Sequence, residues 1–516
     1  MASSGGGAVT DGRRARARAV AGRVLGAVRR RVAIDARALA AFRIALGLLV
    51  VADLALRSRN LVAFYTDRGV LPRAALFADY TGVYSVHALW GEAWIQALLF
   101  LVAALFGLAL VVGYRTRLAT VLSWALLLSL HVRNPMVLNG GDILFRMLLF
   151  WGMFLPLGER WSLDAARRDR QGRSTVASVA TAALLIQMVL LYVTNAVHKL
   201  GGTQWRTGEA VVYVFSLDQF TVLLGNVLAE FYPLLRVFTY AWITLVVLSP
   251  LLLVLTGRLR AVLASLFAAM HLGMLVTMQI GLFPLVVVAG LLPFYPPVVW
   301  SAVERASERV GLTARTQTLR TRYREATERL PDVAPPALSR SAVLARARTA
   351  AGSALALGFL VLVVLSNAQA VGVADVPDDG EAVLEVTGTD QYWRMFAPDP
   401  LGTDGWYVVP ANLTDGASVD ALYDSAVDWD RPPNVDSRYP TARWRKYLRN
   451  VWTSGNWNHR SYFAHYLCGQ WNRSHATGLD SLELYYMAQE SQPYNETEPI
   501  RGHWLHTHDC AGPLDQ

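Results

Sequence analysis

The sequence predicts an all-α polytopic membrane bundle of about nine spans, followed by a small extracytoplasmic α+β domain. Three observations carry that expectation. The 516 residues are 53% hydrophobic and only 17% charged, with a mean hydropathy of +0.30. Those values suit a membrane chain with a soluble part attached. Apolar runs close to spanning length, about 20 residues, recur between residues 38 and 370. After residue 370 the runs stop, Asp becomes frequent and short β-rich stretches appear.

Residues 1–34 are Gly-rich and then Arg-rich, which reads as a cytoplasmic tail, partly disordered, with a short basic helix on anionic lipid. The following apolar run has no clean small-residue cleavage site, so it reads as a retained first span. Candidate spans lie at 38–56, 94–112, 118–136, 142–157, 176–198, 237–256, 260–280, 282–300 and 351–370. The fourth is short and contains Arg146; the eighth is rich in Pro. Residues 35–300 thus form one transmembrane domain of about eight spans, with a last helix at 350–370. Between them, 301–349 has helical spacing with alternating charge and reads as a cytoplasmic amphipathic linker ended by Pro331, Pro335 and Pro336.

The net charge of +9 is unevenly spread. Arg clusters flank apolar spans, which points to membrane topology and a lipid partner, not to nucleic acid. Arg placement puts the N-terminus in the cytoplasm and, with an odd span count, residues 371–516 outside the cell membrane. The sequons at Asn412, Asn472 and Asn495 all fall in that last part. So do the two cysteines, Cys468 and Cys510, which form a disulfide or remain two buried thiols. Within 371–516, EAVLEVTG, GWYVVPANL and LELYYMAQ read as strands, and TARWRKYLRNVW and HRSYFAHYLCGQW as helices.

On this topology three outer loops gather varied polar residues. The first holds Asp67, Arg68, Arg73, His87 and Trp90; the second His131, Arg133, Asn134, Asn139 and Asp142; the third His198, Lys199, Trp205, Arg206 and Glu209. Arg43, Asp53 and Arg146 fall inside spans, where charge is costly and is paired or functional. Asp142 and Arg146 are four apart and read as an ion pair on one helix face. His271, with Met270, Met274 and Met278, reads as a core histidine rather than a haem or copper ligand, and no metal is expected. His503, His506 and His508 have no evident acidic partner and are not taken as a site.

The most informative stretch is 176–209. The chain has 48 basic residues but only two lysines, Lys199 and Lys446. Arg keeps its proton under any protein condition, whereas desolvated Lys can lose one. Lys199 at the end of an apolar run is therefore either an interfacial amine that snorkels to the headgroups or a base. As a base it would act with His198, with His87, His131, Asn139, Asp142, Trp205 and Arg206 binding substrate. Trp90, Trp205, Tyr192 and Tyr213 supply flat walls for a ring, or form an interface belt.

FYTDRGVLPR, GYRTRLATVLSW, NGGDILFRMLLFW, LPLGERWSLDA and NAVHKLGGTQWRTGEAV, in that order, resemble the HTTM domain, shared with vitamin K-dependent γ-glutamyl carboxylase. The resemblance covers 35 to about 300, and the run at 390–398 is similar to the tails of prokaryotic members. It implies a lyase-type enzyme in which a membrane-embedded Lys before a Leu, here Lys199 and Leu200, deprotonates a vitamin K-type quinol such as menaquinol. O2 and CO2 are then co-substrates, and an extracytoplasmic protein supplies the Glu that is carboxylated. Two departures limit it. Glu159 and Arg160 precede Trp161 and Ser162 where the carboxylase has a His, and its large lumenal part has no counterpart here. The other reading is a non-catalytic membrane protein that binds a lipid or quinone, or that scaffolds partners outside.

Overall fold

The computed structural model describes residues 6–167, 172–311, 321 and 342–512, apart from 454, 456, 492 and 495–497. Its organising feature is a helical bundle whose segments run alternately between two ends. A first helix, α1 (Gly6–Val32), precedes the bundle; the Arg-rich tail is thus a long helix and not a short one. The bundle itself comprises α2 (Ala36–Ser58), α3 (Ala93–Val112), α4 (Thr116–Arg133), α5 (Gly140–Gly152), α6 (Val179–Gly201), α7 (Tyr232–Val247), α8 (Gly257–Thr277), α9 (Phe283–Leu291), α10 (Pro297–Arg309) and α11 (Ala342–Ala370). The expected spans overlap these helices, but 282–300 falls on two of them and 237–256 runs past the end of α7. Five described helices are long and apolar enough to cross a membrane: α2, α3, α6, α8 and the Arg346–Ala370 part of α11. Phe283–Phe294 and Pro297–Arg309 make a sixth only as a pair bent by 108°. Pro296 and Pro297 lie at the bend, where neither residue can donate a helical hydrogen bond. The linker expected over 301–349 falls largely on residues 312–341, outside the described ones, as do Pro331, Pro335, Pro336 and Asn495.

Helices α2 and α3 pack through small residues. A Cβ on Gly47 would sit 2.6 Å from the Gly107 carbonyl oxygen and 2.8 Å from the Val111 nitrogen, so the two backbones touch. At the end of the bundle that starts α2, Arg43 is buried and donates to the carbonyls of Leu110, Val111 and Trp161. Leu110 and Val111 lie in the last turn of α3, where the helix dipole favours a cation, and Trp161 lies on the connection after α5. A two-stranded ribbon, β1 (Ile34–Asp35) with β2 (Thr175–Val176), closes the same end.

The chain beyond α11 packs on the opposite end. It contains α12 (Asp378–Thr387), β3 (Thr403–Val408), β4 (Pro410–Leu413), β5 (Ser418–Asp420), α13 (Ala442–Thr453), α14 (Asn458–Ser474), β6 (Leu479–Glu490) and β7 (Arg501–Asp509). β6 is the long central strand. Along one edge it pairs antiparallel with β3 and then β4, and along the other with β7. Cys468 on α14 is bonded to Cys510 beside β7, with Cα atoms 5.5 Å apart. The expected strand EAVLEVTG is a correction: it is helix α12. Asp378, Asp379 and Glu381 occupy its first turn, where the helix dipole favours acids, and Gly388 closes it in the left-handed region.

The Gly47 packing gives a direct expectation. Gly47→Ala must push two backbones apart and should cost about 1–3 kcal/mol, read as a lower melting temperature in detergent. Gly273→Ala, with nothing within 4 Å of the new methyl, should be neutral or gain up to about 1 kcal/mol in the same measurement.

Candidate functional site

Helix α6 begins in a capping box, Ser178 with Thr181, and then runs apolar. One stripe along it is polar: Gln187, Thr194, Asn195, His198 and Lys199, at the spacing of a single helical face. In an apolar bundle those groups need partners. They find them in residues 389–399, a strap laid along the stripe. Gln187 exchanges hydrogen bonds with Gln391 at 2.7 and 3.0 Å. The Gln391 side-chain oxygen also accepts from Trp393 Nε1 at 3.0 Å and from Asn367 of α11 at 3.3 Å. Thr194 donates to Asn367 at 2.8 Å. Asn195 donates to the carbonyls of Trp393 and Met395 at 2.9 and 3.1 Å. Lys199 completes the series: its Nζ donates to the Phe396 carbonyl at 3.2 Å.

The Lys199 side chain is buried, 2% exposed. Its amine lies 3.4 Å from the centre of the Trp205 ring, and Trp205 Nε1 donates to the same Phe396 carbonyl at 2.8 Å. Asp399 then caps the turn that presents Trp205, accepting from the backbone of Thr203 and Gln204. Neither a carboxylate nor another cation bonds the amine among the described residues. His198 is half-buried beside Arg394, and its Nε2 has no partner among the described residues. Arg206 is exposed and bonds the Gly202 carbonyl, so it turns away from the amine.

A second buried cluster forms at the same end. Arg57 of α2 donates to Asp53 at 2.7 Å, to Tyr65 at 2.7 Å and to Asp142 at 2.6 Å, and its Nη2 lies 3.1 Å from His131 Nε2. Arg443 of α13 reaches in from the C-terminal part, bonding Asp53 at 2.7 Å and Asp142 at 2.9 and 3.1 Å. Asn139 caps α5, and Asp142 accepts from the Asn139 nitrogen in return. The expected Asp142–Arg146 pairing is thereby replaced. Both Asp142 oxygens go to Arg57, Arg443 and Asn139, while the Arg146 guanidinium lies near Asp390 and Tyr392. Asp53, His131 and Asp142 converge as a metal set would. Two guanidinium groups already neutralise those carboxylates, so the donor set does not fit a cation.

His87 stands apart. It is buried, its Nδ1 is 2.8 Å from Ser129 Oγ, and burial pushes it down to about 3. The fold therefore joins His131, Asn139 and Asp142 in one cluster and Lys199 with Trp205 in another. Met395 of the strap packs against Gly140 at the start of α5, between the two. His271 bonds the Phe267 carbonyl within an aromatic cage of Tyr192, Trp242 and Phe283. The residues of these clusters that the sequence reading does not assign to a site are Arg57, Tyr65, Gln187, Asn195, Gln391 and Arg443.

The HTTM domain family model matches residues 32–300, just over half of the chain. This protein belongs to the HTTM family. Part of this HTTM chain is similar to sporulation-delaying protein SdpB of Bacillus subtilis (strain 168), 24% identical over 131 residues, which is 23% of this chain. The chain spans about two-fifths of the length of that relative, 40%. No solved structure matches.

Two expectations follow for this HTTM protein. Arg443→Met leaves two buried carboxylates to one guanidinium and should cost about 3–5 kcal/mol, seen as a lower melting temperature in detergent. Asp404 is buried beside Asp218, and both effects push its carboxyl from 3.8 up to about 6, against the pull of Arg431. A carboxyl raised on folding favours the folded state below its unfolded value. Stability should therefore fall by about 1.4 kcal/mol per pH unit as pH rises from about 4 to 6, and Asp404→Asn should flatten that slope in denaturant titrations.

Proposed function

We propose that this HTTM-family membrane protein is an enzyme in which Lys199 accepts a proton from a membrane-soluble quinol. The observation that carries the reading is the amine itself. It is one of two lysines, buried at the end of a membrane-length helix, and it bonds no carboxylate among the described residues. A buried amine held by a carbonyl and an indole face has little to keep it charged beyond those two contacts. The family resemblance adds the quinol, with O2 as oxidant and CO2 as the acceptor in a coupled carboxylation.

The residues present fit a flat ring in one respect: the amine that would take the proton lies beside an aromatic side chain, 3.4 Å from the centre of the Trp205 ring. The quinol, when bound, would supply the redox chemistry. The chain's own share is narrower. It keeps Lys199 away from water under the strap and takes one hydroxyl proton at Nζ. Entry requires the Phe396 carbonyl to leave the amine, so the strapped arrangement is the closed form.

The same reading places the bundle's strap-bearing end, and the C-terminal domain over 371–516, outside the membrane. The bonded Cys468 and Cys510 support an oxidising compartment. Asn412 and Asn472 of the sequons are exposed, and the last turn of the Arg-rich α1 packs at the other end, where Arg31 bonds Val254 and Arg260. The reading keeps about nine spans with the N-terminus in the cytoplasm, of which five described helices, or six with the bent pair, have the length and apolarity to cross.

A second reading has an observation of its own. The Phe396 carbonyl and the Trp205 face are both good partners for an ammonium, so Lys199 is equally placed as a non-catalytic anchor that holds the strap. The two readings separate in one experiment. In nanodiscs supplied with menaquinol and oxygen, the base reading expects Lys199→Arg to lose about 100-fold or more in quinol consumption at a wild-type melting temperature. Turnover equal to wild type would remove the base and leave the anchor.

A further inference from the structure

The C-terminal sheet carries a groove that the membrane site does not use. It lies where the start of β3, the middle of β6, the turn before β7 and helix α13 meet, and has a volume of about 240 Å³. Its floor is aromatic. Trp452 stacks on Tyr486 with ring centres 4.5 Å apart and planes 14° apart. His503 leans on Trp452 at 5.0 Å.

Above that floor stands Arg449. It is half-buried, and its guanidinium makes no hydrogen bond or ion pair among the described residues. Arg501 is the other cation that lines the groove. A half-buried guanidinium with no anion among the described residues offers an open fork of donors, and a carboxylate is its geometric match. Among the described residues the carboxylates that line the groove belong to Glu490, which is 3.6 Å from Arg501, and Glu498.

We infer that this groove binds a small monocarboxylate with a flat apolar body, its carboxylate on Arg449 and its ring on Trp452. The volume holds one ring and a short acid arm. It is below the range of about 300–1,000 Å³ typical of pockets for larger ligands. Glu490 and Glu498 at the rim set the charge preference, because a second anionic group would face them. The site is separate from Lys199 and stands or falls without the quinol reading.

The test uses the full chain in nanodiscs and calorimetry with 3-phenylpropionate, paired with its neutral twin 3-phenylpropionamide. The acid should bind saturably, and about tenfold or more tighter than the amide, the share of one charge-assisted hydrogen-bond pair. Arg449→Gln should remove that advantage while leaving amide binding and the melting temperature unchanged. Arg501→Gln, a cation already paired with Glu490, should change acid binding by less than about threefold. Trp452→Leu should weaken acid and amide alike. If Arg449→Gln does not fold, Arg449→Lys, which keeps the charge but loses the fork, should still weaken the acid about threefold or more. No saturable binding of the acid, equal binding of acid and amide, or unchanged acid affinity in the folded Arg449 variant would each overturn the proposal.

Discussion

A polar stripe on a membrane-length helix has to be answered, and here the answer comes from the same chain some 200 residues later. Gln187, Asn195 and Lys199 of α6 bond successive groups of the strap, from Gln391 to the Phe396 carbonyl. Lipid offers no partner for an amide or an amine, and each such group left bare costs about 1–3 kcal/mol or more. The stripe therefore fixes where the strap lies. The strap in turn fixes Trp205, through the shared carbonyl and the Asp399 cap. The setting of Lys199 is a by-product of satisfying the helix above it.

The charged cluster follows the same logic with larger stakes. Asp53 and Arg57 are neighbours on α2, but two carboxylates and one guanidinium would leave an anion in the dry interior. Arg443 closes the balance from α13, and in doing so docks the C-terminal part onto the bundle. Arg445 of the same helix adds contacts to the carbonyls of Gln219 and Gln279. Successive α13 residues therefore divide the work. Arg443 and Arg445 face the bundle, and Arg449, two turns from Arg443, faces the groove on the sheet. An ordered position for that groove thus depends on a salt-bridge network at the membrane end.

Much of this was legible in the sequence, and the parts that were not share a cause. Apolar length located most helices of the bundle, because that signal is local, but read the bent pair α9 and α10 as one span. The Asp53–Arg57 pair was open to the same i,i+4 reasoning applied to Asp142 and Arg146, and Arg57 was passed over only because it sits at the helix end. Arg443 was not recoverable. Its partner Asp53 is 390 positions away, and one arginine among so many carries no signal. The 390–398 run stood out as a motif, yet nothing in it told which helix it would cover. EAVLEVTG misled because Val and Leu alternate over too few residues to separate a strand from a helix, and the acidic first turn was the better guide. For the two cysteines, spacing left pairing open, and only the approach of α14 to the end of β7 decides it.

The strap's bonds are unevenly distributed, and that bears on both readings of Lys199. Five hydrogen bonds converge on the Gln391 side chain. The Phe396 carbonyl has two, from Lys199 and Trp205. A strap held for stability alone would gain most by strengthening its weak end, for instance with a carboxylate beside the amine. Instead the chain places a lysine there with only a neutral oxygen and a ring for company. Asp399, three residues further on, accepts from the backbone of Thr203 and Gln204, so the strap is held on both sides of the Phe396 carbonyl.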